Sequence, residues 1–284
     1  METSNITIRR QKIKKDYTKQ KCIILCILVG LVLLTAVLAE YIVPYDPYAQ
    51  DLSNALLPPG GKHLLGTDRY GRDMLSRVIM GGQTTIFSSL LLVLIIMVVG
   101  TMIGIICGYH GGKVDTLLMR ISDVFLAFPG MVFAIAVAGV TGGGVINAVV
   151  ALACISWPKF ARIARSQVMT LKQSSFIAAA RLSGSGTWKI IFKHMLPNIA
   201  GPILITGVLD IGTMMMEIAG LSFLGLGAVP PVAEWGSMMS NGRSMLQTSP
   251  WVILVPGFAI FITVMLFNLL GDTVRDVMDP RRKK

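Results

Sequence analysis

Two carboxylates, Asp210 and Glu217, lie seven residues apart within an otherwise apolar stretch of the sequence. A spacing of seven residues places both side chains on one face of a helix. Because an ionised carboxylate is costly in lipid, both groups are expected to face a bundle interior or a wet cavity. There they would line a translocation path and meet a cationic solute. Two alternatives stay open, in which Asp210 pairs structurally and Glu217 lies near the membrane interface.

Thioether side chains cluster in and after the same stretch. Met214 opens a run of three methionines, and Met238 and Met239 follow in the next polar segment. Thioether sulfur is a ligand that copper(I) prefers, but three consecutive residues of a helix point in three directions. We count Met214 among the path-lining residues and take flexible packing as the simpler interpretation. Direct metal ligation, which would need other ligands, stays open as the alternative.

A basic segment, 159–197, contains seven lysines and arginines and no acidic residue. Within it, residues 176–182 are predicted to form a short helix ended by Gly184, and residues 188–193 a second helix ended by Pro197. Small alanine side chains in the first helix allow close backbone approach, which suits a helix that docks in a cleft of another protein and moves as a lever. The alternative is a basic surface that meets anionic lipid.

The sequence offers little for catalysis. Residues 184–189 are glycine-rich but lack the Gly-Lys-Ser/Thr sequence that binds phosphate and magnesium. There is no His-Glu-x-x-His pair or Gly-x-Ser-x-Gly elbow, and only three histidines are available for base chemistry. We expect no enzymatic activity and no cofactor bound by this chain.

The elements that must position these residues are membrane spans. With 53% hydrophobic and 14% charged residues, the chain suits lipid better than water as its solvent. Basic residues flank the apolar blocks and aromatics make up only 7%, so nucleic-acid binding is not expected. Six spans are predicted, of which the third and fourth are short. They are 22–43, 84–108, 124–141, 144–158, 199–220 and 251–270.

The distribution of lysine and arginine predicts the orientation. With the N-terminus inside, the inner segments hold 21 of the 26 basic residues, and such residues are retained on the cytoplasmic side. Both termini are therefore expected to be cytoplasmic. The predicted organisation is a basic N-terminus (1–21), a first transmembrane helix (22–43), an extracytoplasmic segment (44–83) and a five-helix core (84–284) that includes the loop 159–197.

Several runs of residues resemble a known family. Ala-Ala-Ala-Arg-Leu-Ser-Gly at 178–184, followed by His-Met-Leu-Pro-Asn at 194–198, resembles the Glu-Ala-Ala loop of ATP-binding-cassette importer permeases. Four further runs are similar to the second, C-type permease of the dipeptide, oligopeptide and nickel class. They lie at 65–73, 111–129, 221–227 and 271–281.

The resemblance implies a six-helix, all-α permease of the bacterial inner membrane. Its partners would be a homologous second permease, two ATP-binding subunits and an extracytoplasmic solute-binding protein. The coupling helix that contacts the ATP-binding subunit would comprise Ala178, Ala179, Ala180, Arg181, Leu182, Ser183 and Gly184.

One position departs from the family pattern. The glutamate that the family usually carries would fall at Ala178, so its contact to the ATP-binding subunit must be replaced or missing. The resemblance also implies that segment 221–243 faces the solute-binding protein, with Glu234 and Trp235 near the delivery point or external gate. The alternative is a plain interfacial loop in which Trp235 is a belt residue.

Three details resemble the nickel and metal-chelate branch of the class. They are residues 180–184 without the glutamate, Leu-Asp-Ile-Gly at 209–212 and Ala-Glu-Trp-Gly at 233–236. We predict that the cargo is nickel, either as the ion or as a chelate, or another metal chelate. Dipeptides or oligopeptides are the alternative. An ion-coupled secondary transporter fits less well, because no paired internal repeat is apparent.

Overall fold

The computed structural model describes residues 2–278, with side chains described from Tyr17 onward. Five helices are long and apolar enough to cross a membrane, and one sharply bent helix pair would make a sixth crossing. The predicted all-α membrane fold is confirmed, and the six predicted spans correspond to these five helices and the bent pair. The last part of the predicted run at 271–281 and the basic C-terminal residues lie outside the described residues.

The second long helix begins earlier than predicted. It starts at Met74, within the segment predicted as extracytoplasmic, because the Asp73 carboxylate accepts the Ser76 N–H at 2.8 Å and caps the helix. The helices, in chain order, are α1 (Glu2–Val37), α2 (Ala39–Ile42), α3 (Met74–His110), α4 (Gly112–Ala127), α5 (Gly130–Val140), α6 (Val145–Lys172), α7 (Ser175–Leu182), α8 (Thr187–Lys189), α9 (Leu196–Phe223), α10 (Trp235–Gly242) and α11 (Trp251–Met278).

Three glycines of α3 bring its backbone into direct contact with α6. A Cβ atom added at Gly100, Gly104 or Gly108 would lie 2.4, 2.3 or 2.9 Å from a backbone oxygen of α6. Their four-residue spacing puts them on one helix face, and small residues let membrane helices pack through close van der Waals contact. The α3–α6 pair therefore holds the charged residues of α6 in fixed positions.

The third predicted span, 124–141, is broken in the structure. Helices α4 and α5 meet at a bend of 88°. Phe128 between them is extended, with φ −89° and ψ 142°, because Pro129 disfavours the helical conformation of the residue before it. The prediction of one continuous span was wrong, since the apolar content of the segment hides the break at Pro129.

The fourth predicted span, 144–158, ends too early. Helix α6 runs through Pro158 and on to Lys172. Proline is tolerated inside membrane helices because neighbouring groups and local adjustments compensate for the lost hydrogen bond. The basic segment predicted as a loop at 159–197 is therefore helical over its first part, and only residues 173–186 leave the long helices.

The second predicted short helix, 188–193, does not end at Pro197. Helix α8 passes through a π-helical turn, Ile190–Met195, into α9, and the run is continuous from Thr187 to Phe223. In this turn the Leu196 N–H bonds to a carbonyl five residues back. Pro197 follows in the first turn of α9, where a missing N–H is accepted. The predicted stop was wrong for that reason.

Residues 44–73 form an irregular lobe at the end of the bundle where α3 begins. Arg72 and Arg77 approach one buried carboxylate oxygen of Asp68, at 2.7 and 3.6 Å. The Trp251 indole donates to a backbone carbonyl of the lobe at 3.1 Å. These buried charges are paired, as their desolvation requires. The lobe and helix α7 lie at opposite ends of α3, which spans about 55 Å at 1.5 Å per residue.

Candidate coupling loop and translocation path

Helix α7 presents a small-residue surface to its surroundings. Ala178 and Ala179 are exposed, and the exposed fraction of Leu182 is 90%. Ile177, on the opposite face, is fully buried and fixes the base of the helix. A helix that exposes small and apolar residues together has the surface expected of a protein contact.

The end of α7 is fixed by its backbone. Gly184 has a φ of +75°, and its N–H donates to the Arg181 carbonyl at 3.0 Å. The Ser185 N–H donates to the Ala180 carbonyl at 3.1 Å, and the Ser183 hydroxyl also donates to helix carbonyls. This pattern satisfies the last carbonyls of a helix and favours glycine at the left-handed position. The predicted helix end at Gly184 is confirmed.

Tyr109, at the end of α3, joins α7 to the long helices. Its ring centre lies 5.6 Å from the Arg181 guanidinium of α7 and 5.8 Å from the Lys172 ammonium of α6. Lys172 also donates to the Tyr109 carbonyl at 2.6 Å, and the phenol donates to the Thr187 hydroxyl at 3.4 Å. Four helices therefore meet at one aromatic residue, which the sequence reasoning did not single out.

Basic residues on the extension of α6 are paired with α4. Arg165 donates two hydrogen bonds to the Asp115 carboxylate, at 2.5 and 2.6 Å. Arg162 donates to Asp123 at 2.7 Å in a half-exposed pair. Two-point contact between a guanidinium and a carboxylate fixes geometry as well as charge. The basic segment is therefore partly neutralised, by acidic residues about 40 to 50 positions earlier in the chain.

Asp210 forms an ion pair with Lys159 of α6. The Asp210 side chain is 4% exposed and that of Lys159 is 52% exposed. The second carboxylate oxygen of Asp210 is buried and has no hydrogen-bond partner among the described residues. Glu217 lies two turns further along the same face and is half-buried. The structure thus shows the pairing alternative for Asp210 and leaves its carboxylate out of contact with an open path.

The methionine run divides between core and surface. Met214 and Met215 are buried, whereas the exposed fraction of Met216 is 53%. The prediction that Met214 lines a path is corrected, because its side chain packs within the chain. Met216 instead lies with Met239 and Met265 along a cavity of about 720 Å³ between α9 and α11. Among the described side chains, no group of three His, Cys, Asp or Glu lies close enough together to hold a metal ion.

Glu234 caps helix α10 from a fully buried position. Its carboxylate accepts the N–H groups of Gly236 and Ser237, at 2.9 and 2.8 Å, and the Thr85 hydroxyl at 3.3 Å. Burial raises the pKa of Glu234, and these hydrogen bonds oppose the rise. The side chain joins α10 to α3.

Trp235 and Gly236 insert between α3 and α9. The indole of Trp235 donates to the Val78 carbonyl at 2.8 Å, and a Cβ atom added at Gly236 would lie 2.3 Å from the Ala219 carbonyl. Glu234 and Trp235 were predicted to meet the solute-binding protein, but both are buried in this conformation. Their side chains hold the segment in place, so a contact with another protein must be made by their exposed neighbours.

The apolar helices and the bent pair are the architecture of a multi-pass membrane protein. Residues 100–284 match the family of binding-protein-dependent transport system inner membrane components, and residues 23–59 match the N-terminal transmembrane domain of oligopeptide transport permease C. The chain belongs to the family of binding-protein-dependent transport system inner membrane components. It is a non-catalytic, multi-pass permease subunit of an ATP-binding-cassette importer, as its sequence motifs predicted.

Similar proteins include permeases named for different cargoes. The glutathione transport system permease protein GsiD of Pectobacterium atrosepticum is 43% identical and covers 86% of this chain and 82% of its own length. The nickel transport system permease protein NikC of Escherichia coli is 41% identical, with 89% and 92% covered. The dipeptide transport system permease protein DppC of Alkalihalophilus pseudofirmus is 40% identical, with 90% and 86% covered.

The fold is similar to that of a solved importer. An inward-facing structure of the MetNI methionine ABC transporter matches with a TM-score of 0.58 and 18% sequence identity. The match covers 72% of this chain and 98% of the solved chain. This likeness concerns the fold and agrees with the membership shown by the sequence.

Proposed function

We propose that α7 is the coupling helix through which one ATP-binding subunit drives this permease, while a second ATP-binding subunit acts through the counterpart helix of the second permease. The observation that carries the proposal is the exposed surface of Ala178, Ala179 and Leu182 on a helix anchored by Ile177 and Tyr109. Small residues let such a helix enter a cleft closely. Its attachment to α3, α6 and α8 allows a displacement of α7 to reach the long helices. ATP and magnesium belong to the partner subunits.

The proposal places α7 in the cytoplasm and the lobe 44–73 on the other side of the membrane. It is supported by the concentration of basic residues in the segments on the α7 side. Both termini are then cytoplasmic. The exposed apolar residues Leu224, Val229 and Val232, next to the buried Glu234, are the surface proposed to face the solute-binding protein.

The proposed docking of α7 uses no glutamate. Ala178, at the position of the family glutamate, is exposed, and its methyl group cannot form a hydrogen bond. The contact is therefore expected to rest on the apolar surfaces of Phe176 and Leu182, whose exposed fractions are 42% and 90%. Burial of apolar area contributes about 25 cal/mol per Å², so two such side chains can replace one exposed polar contact.

The chain is proposed to form half of a translocation path together with a homologous second permease. Its cargo is proposed to be a small solute of the nickel-chelate or short-peptide class. The details at 209–212 and 233–236 favour nickel or a metal chelate, and the NikC relative at 41% identity agrees with them. Relatives named for glutathione and dipeptides, at 43% and 40% identity, favour peptides to the same degree.

Replacement of Gly184 by valine tests the coupling role. Valine strains the left-handed conformation at φ +75° that ends α7. We expect Gly184→Val to abolish ATP-dependent uptake while the protein stays in the membrane. Gly61→Val is the matched control, since Gly61 also has a positive φ (+52°) and open surroundings but lies in the lobe. Normal uptake by Gly184→Val would contradict the proposal.

The cargo is tested by uptake into cells with and without this chain. Radiolabelled nickel and a radiolabelled dipeptide are compared, with a catalytically inactive ATP-binding subunit as the control for energy source. Loss of uptake of one of the two on removing the chain assigns the class. Uptake that persists with the inactive ATP-binding subunit would contradict an ATP-driven importer.

A further inference from the structure

Lys159 of α6 and Glu217 of α9 place opposite charges within the membrane-spanning part of the chain. The Lys159 side chain is 52% exposed, and Glu217 is half-buried. Charged groups that face lipid at this depth are costly, so both are expected to face a water-filled space. Lys159 pairs with Asp210, and Glu217 lies two turns further along the same face of α9, which puts all three in one region.

Lys159 has bonding capacity beyond its ion pair. An ammonium carries three N–H donors, and its one hydrogen bond to a described side chain is to a single oxygen of Asp210. The other oxygen of that carboxylate is buried and has no partner among the described residues. A pair evolved for stability alone would satisfy both oxygens. Asp210 instead holds the Lys159 ammonium at an open surface.

Glu217 also has a free bonding surface. No hydrogen bond or ion pair joins it to another described side chain. Thr213 lies between Asp210 and Glu217 on the same helix face and is exposed. Its hydroxyl makes these three residues a polar strip along α9. Beyond Glu217 the polar strip ends at Met131 of α5, which packs against the next turn of α9 at Gly220.

We propose that Lys159 and Glu217 form a two-charge subsite for a short peptide with free termini, the peptide carboxylate binding Lys159 and its ammonium binding Glu217. The subsite rests on the proposed function, because it requires α6 and α9 to line the path. Thr213 lies beneath the middle of the bound peptide. Asp210 is a positioning residue that keeps the ammonium of Lys159 in place.

The spacing of the two charges fits this class of ligand. Asp210, which marks the level of Lys159, and Glu217 are seven residues apart, or about 10.5 Å along the helix axis. An extended dipeptide spans roughly 7 Å, and a charge-assisted hydrogen bond of about 2.8 Å at each end extends its reach to roughly 12 to 13 Å. A dipeptide that lies at an angle to the helix axis therefore matches the spacing, whereas a tripeptide is too long. A single metal ion cannot contact both groups at once across this separation.

Protection of a cysteine at position 213 tests the subsite without the solute-binding protein. Thr213→Cys is made with the four native cysteines changed to serine, and the assembled complex in nanodiscs is labelled with a charged thiol reagent. Alanyl-alanine is expected to slow labelling at least several-fold. Its C-terminal amide and its N-acetyl form, which each lack one charge, are expected to protect much less.

Variants assign each charge to its partner. Glu217→Gln should remove the preference for alanyl-alanine over its N-acetyl form. Lys159→Met combined with Asp210→Asn, which leaves no unpaired buried charge, should remove the preference over the amide. Lys159→Arg, which keeps a positive charge and the native Asp210, should show the preference over the amide that the double variant lacks. Arg162→Met, three residues along α6 in an exposed pair, is the matched control and should change neither.

The outcomes separate this inference from the proposed function. Equal protection by all three peptides, or the same preferences in the Lys159 and Glu217 variants as in the parent, would overturn the subsite. ATP-dependent uptake of nickel but not of alanyl-alanine would also overturn it while leaving the importer intact. Absence of any ATP-dependent uptake would instead contradict the proposed function.

Discussion

A single buried carboxyl, Glu234, links the stability of the α10 region to pH. Burial raises the pKa of Glu234 above its ordinary value of 4.5, so the folded chain keeps a proton over a range in which the unfolded chain has lost it. Folding stability therefore falls as pH rises from 4.5 towards the raised pKa and changes no further above it.

Glu234→Gln should remove this part of the pH dependence, because glutamine is neutral at every pH. The variant is also expected to be less stable overall, since its NH2 group faces the Ser237 N–H that the carboxylate accepts. Tm measured in nanodiscs from acid to neutral pH checks both effects, with the exposed Glu40→Gln as control. Parallel Tm curves for parent and Glu234→Gln would argue against the assignment.

Residue partners were the hardest part of the site to predict. The sequence pattern placed Asp210 and Glu217 on one helix face, as the structure shows. It did not indicate that Lys159, 51 residues earlier, holds Asp210, because the pairing depends on how α6 packs against α9. Likewise, Glu234 was expected near the delivery point or external gate, and the sequence did not indicate that its carboxylate caps α10.

At the scale of helices, α7 depends on its attachment at Tyr109. Two cations lie over the aromatic ring, and each such contact contributes about 0.5–1 kcal/mol at an exposed site. If α7 transmits movement, loosening this joint should let ATP hydrolysis proceed without transport.

Tyr109→Leu is therefore expected to lower the amount of solute moved per ATP hydrolysed several-fold. Tyr109→Phe keeps the ring and loses only the long hydrogen bond to Thr187, so it should stay close to the parent. Reconstituted complexes in which uptake and phosphate release are measured together give the ratio. Equal ratios for the leucine and phenylalanine variants would show that the ring does not couple the helices.

The seam between α3 and α6, formed by Gly100, Gly104 and Gly108 against the α6 backbone, is a second helix contact on which stability depends. A Cβ atom at position 104 would lie 2.3 Å from the Ala161 carbonyl, so Gly104→Ala must push the two helices apart. Overpacking of this kind costs about 1–3 kcal/mol.

Unfolding midpoints in nanodiscs check the seam. Gly104→Ala should unfold at a lower temperature than the parent, whereas Gly30→Ala, which has no neighbouring atom within 4 Å, should not. If both variants unfold like the parent, the close approach of α3 and α6 is not what holds the pair together.

Helix identities followed from apolar length, but helix ends did not. Prolines 129, 158 and 197 occupy similar apolar surroundings, yet the first breaks a span, the second lies inside α6 and the third lies in the first turn of α9. The difference arises from tertiary packing and from the π-helical turn before Pro197. Neither can be predicted from hydrophobic periodicity. The end of α7 was predicted correctly because it depends on a local property, the left-handed backbone conformation that glycine adopts at position 184.

The whole molecule is a helical bundle with a candidate partner-binding region at each end. At one end, Asp68 and Arg77 hold the lobe 44–73 against α3 and Glu234 holds α10 against α3, and at the other end Tyr109 holds α7. The rigid α3–α6 pair connects the two. A displacement of α7 would therefore be transmitted along the full length of α3.

Photo-crosslinking in the assembled transporter shows which partner each end of the chain contacts. A photoreactive amino acid at position 179 should crosslink to an ATP-binding subunit, because Ala179 lies on the exposed face of α7. The same group at position 229, where Val229 is 56% exposed at the opposite end, should crosslink to the solute-binding protein and not to an ATP-binding subunit. Crosslinks from position 179 to the solute-binding protein, or to lipid alone, would contradict the account.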